Sequence, residues 1–148
     1  MKRITPIIYI CLGVIFTCCS KSNEEEQLEA AALEFATAYF NYDLNKASTL
    51  CTPESRKHML FIASNIHEGD IEILRSQDKG ASVEIKSVTV GDVQTTGSVE
   101  FEVYDFMETD TIGRPGHITE NSTFRLTFRK CGDTWLAEPD NFGMTPVR

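Results

Sequence analysis

"HITENSTFRLTFRKCGDTWLAE", residues 117–138, alternates in character with a period of two. Ile118, Phe124, Leu126 and Phe128 fall on one side, and Thr123, Arg125, Thr127 and Arg129 on the other. That is the pattern of a strand lying half-buried on a core. "CGDT" supplies the glycine and aspartate of a tight turn, and "WLAE" brings the chain back as a second strand. A closing hairpin of this kind belongs to an antiparallel sheet with one covered face.

Upstream the same period recurs. Val99, Phe101 and Val103 alternate with charges. Val83 and Ile85 do so too, and Val88 and Val90 then continue out of phase, which predicts a bulge near Ser87. The cover comes from the region before Ser82, where the apolar spacing is helical. Leu28, Ala31, Ala32, Phe35, Tyr39 and Tyr42 make one stripe. Asn41 or Asp43 can cap a short helix carrying Leu44, Ala47 and Leu50. Thr52–Pro53 opens a third helix with Met59, Leu60, Ala63 and Ile66 inward, and Gly69–Asp70 ends it. The fold class is therefore α+β, with three N-terminal helices packed on a curved four-stranded antiparallel sheet, in a single domain spanning residues 28–148.

The 148-residue chain carries 14 basic and 22 acidic residues. This sign repels phosphate backbones, so nucleic acid is not an expected partner. Lys2 and Arg3 followed by an apolar run from Ile7 to Phe16 read as a leader, since a bilayer span needs about twenty apolar residues. The order of charged start, short apolar run and cysteine resembles a bacterial lipoprotein signal. That resemblance implies a signal peptide over residues 1–18 and acylation at Cys19, with Cys18 the alternative. Cys19 is favoured because it places the small Cys18, rather than bulky Phe16, beside the cleavage site. Residues 19–27 would then form the acylated cysteine and a polar tether, attaching the protein to the membrane by a lipid anchor. An acidic run after such a cysteine resembles a surface-export signal, so the expected location is the outer membrane, on its periplasmic side or at the cell surface.

The segments "LEAAALEFATAYFNYDLNKASTLCTPE" and "FRLTFRKCGDTWLAEP" together resemble the nuclear transport factor two-like superfamily, also called SnoaL-like or cystatin-like. Within it the chain is similar to small bacterial lipoproteins of unknown function, of the lumazine-binding type. The resemblance implies a sheet curled around the first helix, with a conical cavity open at one end. It also implies that enzymatic members place an acid or base in that cavity, the basis of a SnoaL-like isomerase or dehydratase alternative.

The residues themselves give no catalytic constellation. Glu54 and His58 are four apart and read as a helix-surface pair. His58, His67 and His117 fall on different elements, so no metal or cofactor is implied. Tyr39, Tyr42, Phe101, Phe124 and Trp135 are expected to converge on the interior, where they either fill a core or line a pocket for a small planar or apolar ligand. Arg125 and Arg129 should pair with Glu100 and Glu102 across strands. An open sheet face apolar enough to self-associate would instead make a homodimer or envelope scaffold. Cys51 and Cys131 can form a disulfide or remain free thiols. Asp110, Thr111 and Ile112 resemble a bacterial O-glycosylation signal with Thr111 as acceptor. The expected function is a non-enzymatic binding or interaction domain anchored in the cell envelope.

Overall fold

The structure, a computed structural model, describes residues 22–109, 113–139 and 146–147. Cys18, Cys19 and Thr111 lie outside the described residues. Among the described residues no helix is long and apolar enough to cross a membrane.

The chain forms α1 (Asn23–Phe40), α2 (Leu44–Thr49), α3 (Arg56–Ser64) and α4 (Glu68–Ser76), then β1 (Ser82–Val90), β2 (Thr96–Glu108), β3 (His117–Cys131) and β4 (Thr134–Ala137). The strands pair antiparallel in chain order, β1-β2-β3-β4. The architecture is α+β, as the sequence predicts, with one helix more than its pattern gives.

The helix α1 begins where the sequence suggests a tether. Ser22 caps it: the Glu25 amide donates to Ser22 Oγ at 3.2 Å, and the Ser22 amide donates to the Glu25 carboxylate at 3.1 Å. Glu24, Glu25 and Glu26 sit in the first turn, where carboxylates favour the helix dipole. Residues 23–27 are thus helical rather than part of a polar spacer.

The extra helix is α4. Gly69 and Asp70, which suggest a stop, lie in its first turn. Asp70 accepts the His67 amide at 2.8 Å, a bond that starts a helix. In α3, Met59 faces the core as expected, while Leu60 is 69% exposed and Ala63 is exposed; Ile62 packs inward instead, and Ile66, just past the helix, packs inward as expected. The helix opens three residues later than expected, because Thr52–Ser55 form a turn tied to the sheet edge. The Thr52 amide donates to the Ala137 carbonyl and the Ala137 amide to the Leu50 carbonyl, both at 2.9 Å.

One sheet face packs on α1. Val99, Phe101, Val103, Phe124, Leu126 and Phe128 are buried, with Leu28, Ala32, Phe35 and Ala36 of the helix against them. Gly97 allows the closest approach, since a Cβ there would run into Leu28. The predicted bulge is present, as a register shift between Ile85 and Ser87. Alternation along β2 holds to Tyr104 and then changes phase at Asp105, whose φ is +53°. Beyond it both Phe106 and Met107 are buried, so this end of the sheet turns inward.

The opposite face is charged. Arg125 stands opposite Glu100 and contacts it at 2.7 Å, as expected. Arg129 does not reach Glu102 but pairs with Glu138, while Glu102 takes Lys86 at 2.7 Å. Exposed pairs of this kind contribute about 0–1 kcal/mol each. The described residues of this face thus carry a ladder of ion pairs.

Cys51 and Cys131 are both free. Cys51 is buried beside Ala137, whereas Cys131 is exposed at the β3–β4 turn. Burial also raises the Cys51 thiol pKa, which keeps it in its unreactive protonated form.

Candidate functional site

Where α1 ends, the chain makes a sharp exit that creates the site. Asn41 terminates the helix and Asp43 caps α2, its carboxylate accepting the Lys46 amide at 3.2 Å. Tyr42, between them, has φ +59°, a conformation uncommon for a residue with a side chain. Its hydroxyl donates to the Met107 carbonyl near the end of β2, 3.4 Å away. Burial, with smaller contributions from Tyr39 and Asp70, pushes the Tyr42 phenol well above its ordinary pKa. It therefore remains a proton donor at physiological pH.

Around this exit lies a half-enclosed cavity of about 150 Å3. Among the described residues five rings line it: Tyr39, Phe40, Tyr42, Phe106 and Phe124. Leu44, Ile62, Met107 and Pro146 supply aliphatic surface, and Glu108 and Thr109 bring polar groups. Phe40 holds the rings together, its centroid 4.8 Å from Phe124, 5.4 Å from Phe106 and 6.2 Å from Phe101. Glu108 Oε2 accepts the Thr119 hydroxyl at 2.9 Å. Behind the wall, buried Asp70 accepts the Gly116 amide at 2.7 Å and ties α4 to the β2–β3 connection.

Of the expected pocket residues, Tyr39, Tyr42 and Phe124 are brought together at this cavity. Phe101 is one layer deeper, fully buried and part of the core. Trp135 belongs to the other end of the molecule. It lines a shallow surface groove with Asn23, Glu24 and Gln27, and Gln27 is roughly 18 Å along α1 from Tyr39 at the helical rise. Lys130 lies 5.9 Å from its ring centroid, and its buried Nε1 has no hydrogen-bond partner among the described residues. The expectation of a cavity beside both Tyr39 and Trp135 is thus corrected.

Phe40, Phe106 and Glu108 are absent from the sequence reading. The adjacent pair Phe106–Met107 after Asp105 was the available signal, since two successive apolar residues break the strand's alternation. Phe40 lies off the helical stripe and carried no such mark. His58, His67 and His117 occupy α3, the N-cap of α4 and the start of β3. Among the described residues no three His, Cys, Asp or Glu side chains converge as metal ligands.

No protein-family model matches the chain, and no curated protein matches it in sequence. Its structure is similar to the crystal structure of a ketosteroid isomerase-like protein from Erwinia carotovora atroseptica SCRI1043, with a TM-score of 0.50 and 18% sequence identity. The match covers 79% of this chain and 92% of that one. The likeness is one of fold: four helices and a four-stranded antiparallel sheet in the nuclear transport factor two-like architecture.

Proposed function

We propose that this domain binds a small, single-ring ligand in the cavity at the end of α1. The observation that carries the reading is the aromatic lining, five rings around about 150 Å3 of space open to solvent beside exposed Thr109. A void of about that size accepts a benzene-sized molecule, whereas drug-sized ligands occupy about 300–1,000 Å3. Size therefore argues against a four-ring steroid as the occupant.

An isomerase reading is favoured by one specific feature, a carboxylate and a protonated phenol lining the same cavity. Glu108 would take a proton from carbon alpha to a ketone and return it further along, while a tyrosine hydroxyl stabilised the enolate oxygen. One experiment separates the two. Phenol, benzyl alcohol and cyclohex-3-enone are added to the full-length chain, and unfolding temperature and enone absorbance are followed. Binding at a hundred times Kd should stabilise by about 2.7 kcal/mol, several degrees for a domain of this size. Ile62→Trp, which fills the cavity, should abolish the shift. Conversion of the ketone to its conjugated isomer, lost in Glu108→Gln, would establish the enzyme instead; the absence of any shift would remove both readings.

For location, the reading is a lipoprotein whose acylated Cys19 holds the domain at the cell envelope. Its support is the sequence of the leader, with Lys2–Arg3, the run Ile7–Phe16 and the cysteine pair. Two or three acyl chains give stable attachment where one is marginal. Intact-mass measurement of the product from the native host should give a chain beginning at Cys19 with added acyl mass. An unmodified full-length species would refute the anchor.

A further inference from the structure

We infer that the ligand is a cation: a ring carrying an ammonium group, seated with the ring among the aromatic side chains and the ammonium on the Glu108 carboxylate. The inference rests on the binding reading above and specifies the ligand class of the same cavity.

Among the described residues that line the cavity, one is charged. Glu108 is that residue, and no lysine, arginine or histidine lines the cavity among the described residues. Its Oε2 takes the Thr119 hydroxyl, and it makes no ion pair among the described residues. The carboxylate thus has acceptor capacity left at a half-enclosed site where electrostatic interactions are stronger than in water. His117 stands opposite Glu108 in the strand register, and Arg114 lies in the connection between them. Both are exposed, and neither lines the cavity.

Three physical effects then agree in sign. A bound anion would face Glu108 with no compensating cation among the described lining residues. A neutral ring would gain apolar contact but leave the carboxylate with a hydroxyl as its partner. An ammonium group would form a charge-assisted hydrogen bond with it, roughly twice as strong as a neutral one. Aromatic side chains add attraction for the same charge through their ring quadrupoles. Over longer range, the chain's formal net charge of -8 draws cations toward the surface.

The test compares benzylammonium with benzyl alcohol, which have the same shape and differ in charge, by calorimetric titration of the full-length chain and of Glu108→Gln. Glutamine keeps an acceptor for Thr119, and the affinity of benzyl alcohol for the variant reports that the cavity is intact. Benzylammonium is expected to bind the native chain about tenfold or more tightly than benzyl alcohol, and the variant should erase the difference. Equal affinity of the native chain for the two probes would overturn the cation class while leaving the cavity as a binding site. Persistence of the preference in Glu108→Gln would overturn Glu108 as the anchor. Failure of both probes to bind the native chain would overturn the binding reading itself, and this assignment with it.

Discussion

Phe40→Ala is expected to lower the unfolding free energy by about 3–5 kcal/mol, the range for truncating a buried aromatic. Phe40 is 5% exposed and contacts the rings of Tyr39, Phe101, Phe106 and Phe124. Such ring pairs contribute about 0.5–1.5 kcal/mol each beyond their buried area. Neighbours cannot close the gap, because Phe101 and Phe124 are fixed in the sheet and Phe106 follows the Asp105 turn. A domain with about 5–15 kcal/mol of total stability would lose a large part of it. Urea titration should show the midpoint falling with little change in slope. The same variant should enlarge the cavity and admit bicyclic probes that the native protein excludes. A loss below about 1.5 kcal/mol would mean the site collapses freely and Phe40 does not organise it.

Asp70→Ala is expected to cost about 2–5 kcal/mol, for a different reason. Asp70 is 1% exposed and accepts two backbone N–H groups, those of His67 at 2.8 Å and Gly116 at 2.7 Å. Alanine leaves both donors without this acceptor, and a buried unsatisfied donor costs about 1–3 kcal/mol. The two ends of the lost interaction belong to different elements, so the effect should be structural as well as energetic. The first turn of α4 should fray, and the connection before β3 should loosen beside Glu108 and Thr109. Amide hydrogen exchange at Gly116 should then accelerate by more than the global loss of stability explains. Asp70→Asn retains one carbonyl acceptor and should fall between the native chain and alanine. Unchanged protection at Gly116 in Asp70→Ala would show that the contact does not hold the connection in place.

The sheet was legible because its signal is local and repeated. Alternation in "STFRLTFRK" sets which side of β3 is buried, and shifting the register by one residue would expose Phe124, Leu126 and Phe128 together. The shift from Ile85 to Val88 marked the bulge for the same reason. The helix α4 was not legible because Gly69–Asp70 has two meanings. As a turn signal it ends a helix, but His67, Gly69 and Asp70 also make a helix start when a carboxylate caps the His67 amide.

By itself, then, the sequence determined an α+β chain in which the helical first half covers one face of a meandering sheet. Periodic burial leaves a periodic trace, and each strand here carries its own. Tertiary structure alone decided where the cavity lies and what lines it. Phe40 is off the stripe of α1, and it is buried because Phe101, Phe106 and Phe124 of the curling sheet close over the end of the helix. Glu108 faces the cavity because the backbone of Asp105 adopts a positive φ and changes the phase of β2. Trp135 sits away from it because β4 runs back toward the start of α1. Each of these depends on contacts between residues far apart in the chain, whose proximity exists only after the sheet has closed on the helix.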